Sequence, residues 1–117
     1  NIRRAGEVAR LFYLQGNLVI CSFISPFRAD RDAVRAMLPP GGLLEIHVDC
    51  DLEVCKQRDV KGLYRRALSG ELPEFTGVSS PYEAPAAPDL RLRSDQQSVD
   101  ACVTAMIELL EARDLLV

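Results

Sequence analysis

Near the start of the chain, the apolar residues Ile2, Ala5, Ala9 and Phe12 recur at spacings of three and four, with Val8 beside them. That period predicts a helix with one apolar stripe, its polar side largely filled by Arg3, Arg4, Glu7 and Arg10. Gly16-Asn17 punctuates its C-terminus. The pattern then changes. Leu18-Val19-Ile20-Cys21-Ser22-Phe23-Ile24 is a nearly continuous apolar run of strand length, which predicts a strand buried on both faces of a parallel sheet. Ser25-Pro26 breaks it. Residues 29–38 predict a helix with acidic residues near its start, stopped by Pro39-Pro40-Gly41-Gly42.

The alternation continues. Residues 43–48 predict a second strand, ending at Asp49-Cys50-Asp51, and residues 52–58 and 62–68 predict short helices. Residues 73–88, rich in Pro, Gly and Ser, predict a long loop. Residues 89–93 predict a third strand with Leu90 and Leu92 on one face. A terminal helix is expected over 99–113, with Val99, Val103, Met106, Ile107 and Leu110 as its core stripe. Strands alternating with helices predict one α/β domain over residues 1–117 with a parallel sheet.

Composition narrows the function classes. Of 117 residues, 48% are apolar, enough for one small core and too many for a disordered chain. The net charge of −3 gives no electrostatic footprint for nucleic acid or an anionic membrane. No apolar run approaches the ~20 residues that span a bilayer. Charge throughout the N-terminal stretch argues against a secretory signal. Cys21, Cys50, Cys55 and Cys102 form no compact disulfide pattern, which suits reduced, buried thiols in a cytoplasm.

In open α/β sheets, ligands gather beyond the carboxyl ends of the strands. Three unusual segments fall there. In residues 22–28, a hydroxyl, backbone amides and Arg28 suit an anion, although a Ser-Pro turn with a solvated Arg is the commoner reading of such a run. Residues 58–66, Arg58-Asp59-Val60-Lys61-Gly62-Leu63-Tyr64-Arg65-Arg66, hold four cations and one anion, against an acidic whole. They suit visiting polyanions or a solvated helix face. Glu74-Phe75-Thr76-Gly77 followed by Pro81-Tyr82-Glu83 offers an aromatic for stacking on a nucleobase, or a plug that anchors the loop. His47, Cys50 and Cys55 match no structural zinc spacing and lack a fourth ligand, so no metal ligand is assigned. Asp49 and Asp51 read as a strand-end residue and a helix cap.

Taken together, the runs Asn1-Ile2-Arg3-Arg4 with Gly6-Glu7-Val8-Ala9, residues 22–26, residues 58–64, Phe75-Thr76-Gly77 and Pro81-Tyr82-Glu83 with Pro85 resemble adenylylsulfate (APS) kinases over essentially the whole chain. The resemblance implies a P-loop kinase-type three-layer αβα fold with a parallel sheet, truncated at the N-terminus. It implies transfer of the ATP γ-phosphate to the ribose 3′-hydroxyl of APS with Mg²⁺, giving PAPS, in the cytoplasm. Asn1 should then contact APS, and Ile24 and Ser25 should line its pocket. In some members the matching Ser carries phosphate, but direct transfer is the usual mechanism. Lys61, on a mobile lid, should reach the phosphates; with Ser25 it is the candidate catalytic pair. Phe75 should stack on the APS adenine with Glu74 beside it, where many members have Gly. Arg58 should pack on the ATP adenine, with Gln97 near the closing nucleotide pocket.

One element of that family is absent from the sequence: no G-x-x-x-x-G-K-S/T occurs. That loop's amides cradle nucleotide phosphates, its Lys neutralises them and its hydroxyl holds Mg²⁺. The resemblance also implies a central P-loop strand between residues 18–24 and 43–48, so those two should lack their common neighbour. The isolated chain is expected to be unstable, rearranged, or complemented by another segment, and inactive without the P-loop. A non-catalytic APS-binding fragment and a different P-loop metabolite kinase are the alternatives. A homodimer through the helix at 1–14 and a fusion to ATP sulfurylase stay open.

Overall fold

The computed structural model describes residues 1–116; Val117, the last residue of the expected domain, lies outside the described residues. Seven elements follow one another: α1 (Ile2–Leu14), α2 (Arg28–Ala36), β1 (Ile46–Asp49), α3 (Leu52–Arg58), α4 (Leu63–Leu68), β2 (Leu90–Arg93) and α5 (Val99–Ala112). The helices fall close to the expected ranges, α2 starting one residue earlier and ending two earlier than residues 29–38. Asp51 caps α3, its carboxylate accepting from the Glu53 N–H at 2.9 Å, and Ser98 caps α5 through the Ala101 N–H at 3.1 Å. Such caps satisfy amide donors that the first helical turn leaves unpaired.

β1 and β2 pair in parallel, with Ile46 opposite Leu90 and Asp49 opposite Arg93. The chain between them runs through α3, α4 and the long loop, the crossover that a parallel pair requires. α5 packs on β2, and α1 packs on α2. Gly6 makes the second contact possible: a Cβ there would sit 2.8 Å from Val34 Cγ2. Among the described residues, Leu92, 3% exposed, and Ala67 form the buried apolar core. The radius of gyration is 15.8 Å, against about 13 Å for a compact chain of this length.

The expected strand at 18–24 is not formed. Residues 17–27 run without helix or ladder partner, and Ile20 is 87% exposed. An apolar run becomes a buried strand only where a neighbour takes up its amides and carbonyls, and no described segment does so here. The expected core stripe of α5 is corrected as well: Val99 is 79% exposed, and Val103 and Ile107 are also exposed, because no described element lies over those side chains. The thiols are free but not buried. Cys21 is exposed and Cys50, Cys55 and Cys102 are half-buried, because so small a core encloses few side chains.

Candidate functional site: a clamped strand end, a turn and an aromatic loop

The segment after residue 24 is held from two directions. Ser25, the residue before Pro26, has φ +37°, a left-handed backbone that side chains other than Gly rarely adopt. Proline narrows the conformations of its predecessor as well. Such a backbone costs about 1–3 kcal/mol and persists where its surroundings hold it. Here the Arg31 guanidinium donates to the Ser25 carbonyl at 2.5 Å and to the Glu83 carbonyl at 2.6 Å. The Glu83 N–H donates to the Pro26 carbonyl at 2.8 Å. Phe27 supplies no side-chain cap for α2, and the Glu83 carboxylate takes that role, accepting from the Arg28 N–H at 2.9 Å. Arg28 Nε also donates to the Ala84 carbonyl at 2.9 Å. The Pro81–Glu83 run therefore lies along residues 25–28.

Arg31 Nε further sits 3.7 Å from Glu45 Oε2, an oxygen shared with Arg35. A cleft of about 210 Å³ beside this cluster is lined by Arg28, Arg31, Asp32, Arg35, Glu45 and Pro85 among others. His47 stacks on Tyr82 with ring centroids 6.1 Å apart, which fixes the loop against β1.

The cationic segment forms a capped turn. Asp59 accepts from the Tyr64 and Arg65 N–H groups, both at 3.0 Å, and its own carbonyl accepts from the Gly62 N–H at 2.9 Å. Desolvation pushes the Asp59 carboxyl up, but these amides outweigh it and hold the group below its ordinary value. Gly62, at φ +65°, lets the chain turn into α4. Val60, 94% exposed, and Lys61 stand at the tip of this turn. Among the described residues Lys61 forms no ion pair.

Phe75 sits in a tight loop of its own. Its N–H donates to Ser79 Oγ at 2.8 Å, while its carbonyl accepts from the N–H groups of Val78, Ser79 and Ser80. Its ring meets Tyr64 edge-on, centroids 5.1 Å apart, so the aromatic loop is joined to α4 and the turn before it. Burial raises the Tyr64 hydroxyl above its ordinary range, with Cys55 adding to the effect. Glu74 has φ +55°, a backbone that Gly adopts freely. The glutamate therefore keeps a glycine-like path, at a conformational cost.

At the far end of the sheet, Arg58 donates to the Ser94 carbonyl at 3.0 Å. Gln97 closes the same turn, its Oε1 accepting from the Arg93 N–H at 2.7 Å. Asp49 pairs with Arg91, whose hydrogen bonds hold its carboxyl below the ordinary range. Asp49 and Asp51 thus serve as strand-end and cap residues.

The geometry links Arg58 to the Gln97 turn, Phe75 to α4, and Ser25 to Glu83. Asn1 begins α1, its carbonyl accepting from the Ala5 N–H at 3.0 Å and its side chain making no cap bond. The Ile24 side chain is exposed. Sequence reasoning assigned no role to Arg31, Glu83 or Asp59. The one available signal was a helix starting at Arg28 without Ser, Thr, Asp or Asn before it, which implies a cap from elsewhere. Among the described residues, no group of three or more His, Cys, Asp or Glu is arranged to hold a metal ion. No helix there is long and apolar enough to cross a membrane.

Residues 1–93 match the sequence profile described as adenylylsulphate kinase. The chain is 52% identical over 115 residues to the adenylyl-sulfate kinase of Acaryochloris marina (strain MBIC 11017), covering 98% of this chain and 56% of that protein. It is 53% identical over 115 residues to the bifunctional enzyme NodQ of Azospirillum brasilense, covering 98% of this chain and 18% of that protein. In three dimensions it is similar to the Mycobacterium tuberculosis APS kinase CysC in complex with AMPPNP and APS. The TM-score is 0.87 at 40% identity, over 94% of this chain and 64% of that one. The described parallel pair with its helices accordingly fits a P-loop kinase αβα fold. The chain spans a little over half the length of the Acaryochloris relative. With a profile match over most of its residues and such identity along nearly all its length, the chain belongs to the adenylylsulphate kinase family.

Proposed function

We propose that residues 1–117 form, as one unit, the APS-binding and lid portion of an APS kinase, which transfers the ATP γ-phosphate to the 3′-hydroxyl of APS. The observation that carries this reading is the joined geometry of Phe75, Tyr64 and the Lys61 turn: a stackable ring coupled to a capped turn bearing a free cation. Phosphoryl transfer is largely positioning plus charge stabilisation, and these residues suit both tasks. In this reading Phe75 and Glu74 meet the adenine of APS, and Asn1, Ile24 and Ser25 border its pocket. Lys61 meets phosphate, while Arg58 and Gln97 border the ATP base.

The same residues do not fit the triphosphate or Mg²⁺. The sequence holds no P-loop, and the described residues offer no carboxylate cluster for a metal. In this reading ATP phosphates and Mg²⁺ are held by a cradle outside residues 1–117. A cytoplasmic setting belongs to this reading. So does fusion to a second enzyme, for which the bifunctional name of the Azospirillum relative speaks.

The test is PAPS formation by the purified chain with ATP, Mg²⁺ and APS. The expected outcome is no turnover alone and activity on adding a P-loop segment taken from a relative. Turnover by the chain alone would show that the cradle is built another way. APS binding without turnover, even with the segment added, would favour a non-catalytic binding fragment, a reading that the missing P-loop also supports.

A further inference from the structure

We infer that Arg31 is the positioning residue of the APS pocket, holding the Ser25 backbone and the Pro81–Glu83 run in one fixed relation. This rests on the APS reading of Ile24 and Ser25 given above and names what shapes that site.

The left-handed φ of Ser25, immediately before Pro26, is a conformation that the chain does not hold unaided. The guanidinium of Arg31 reaches it from the first turns of α2, with a side chain only 9% exposed. A guanidinium is a planar fork with several donors in fixed directions, so one group can hold separate acceptors at a set spacing. Two of its nitrogens reach the carbonyls of Ser25 and Glu83, and its charge faces Glu45 just before β1. One side chain thus ties the Ser25 backbone, the aromatic loop's C-terminal run and the residue before β1.

Arg35 provides the internal contrast. It shares the Glu45 carboxylate but donates to Leu43, away from Ser25 and Glu83. Both arginines neutralise the same carboxylate, and only Arg31 touches the pocket backbone. A lysine at either position keeps the charge near Glu45 and lacks the planar fork.

The experiment uses the chain complemented by a relative's P-loop segment and compares this parent with R31K and R35K, reading APS affinity by calorimetry and exchange of the Glu83 amide by NMR. The expected result is about tenfold weaker APS binding in R31K, the scale of one lost charge-assisted hydrogen bond. Glu83 amide exchange should also be faster in R31K, because its bond to the Pro26 carbonyl loosens. R35K should match the parent in both. APS affinity unchanged in R31K would overturn the inference. So would equal weakening in R31K and R35K, since that would report a general loss of stability. If the parent itself binds no APS, the underlying site assignment fails instead, an outcome distinguished by occurring before any substitution.

Discussion

Residues 18–24 and the pair β1–β2 both carry apolar residues expected in strands, and they reach opposite ends. Leu92 of β2 is enclosed, with β1 on one side and α5 over it. Ile20, of comparable hydrophobicity, stands almost fully in solvent. Apolar character supplies the tendency to be buried, but a strand also needs a partner for its backbone. Where a parallel neighbour exists, four residues of ladder suffice to build the centre of the fold. Where none does, a run of seven residues, six of them apolar, stays largely open. α1 shows the same asymmetry on a smaller scale. Gly6 is buried against α2, while the stripe of Ala5, Val8, Ala9 and Phe12 lines an apolar groove of about 410 Å³ with Val19, Cys21 and Phe23.

The largest effect expected from this contrast is on cooperativity. The chain alone should melt broadly in circular dichroism, whereas adding a relative's segment with the P-loop strand should give a sharp transition. The gain should approach the roughly 5–15 kcal/mol that holds a typical domain together. A sharp transition without the segment, near that of an intact homologue, would remove the contrast. Point substitutions sharpen it. Leu92→Ala should destabilise the folded half by about 2–5 kcal/mol in urea titration. Ile20→Ala should stay within about 0.5 kcal/mol. Equal costs would mean that residues 18–24 are packed after all. Gly6→Ala should cost about 1–3 kcal/mol by forcing α1 off Val34, and a helix-stabilising outcome would show that the α1–α2 contact yields easily.

The smallest effect is one of pH. Asp49 and Asp59 titrate below the ordinary value of 3.8 in the folded chain, Asp49 mainly through Arg91 and Asp59 through amides that outweigh desolvation. Folded carboxylates with lowered values stabilise the fold fully above the unfolded value. That contribution fades as pH falls through the folded values, where both states become protonated. A shallow loss of stability below about pH 4 is therefore expected in acid titration, reduced in Asp59→Asn. Stability that rises on acidification would contradict these pairings.

Much of the fold is legible in the order of residues because it is local. The three-and-four spacing of Ile2, Ala5, Ala9 and Phe12 predicts α1, and Asp51 before Leu52 predicts a capped α3. The partner of a strand is not local, so residues 18–24 mislead: their pattern states how buried they should be, not what stands beside them. The site divides in the same way. Phe75 and Lys61 are visible as an aromatic in a glycine-bearing loop and a cation in a basic run. Arg31 looks like one more arginine on a solvated helix until the loop returns 52 residues later to meet it. Its significance depends on Ser25, whose backbone strain no residue name reveals. Glu83 was hidden likewise, since it caps a helix to which it does not belong.

The open row of peptide groups along residues 18–24 has a consequence at higher concentration. An unpaired, apolar, extended segment with no charge between Leu18 and Ile24 is a template for strand addition by any chain that presents a matching edge. Two copies meeting through these residues would satisfy each other's backbones and cover each other's side chains. Self-association into β-rich aggregates is thus the competitor of correct assembly, and whichever strand arrives first during synthesis decides between them.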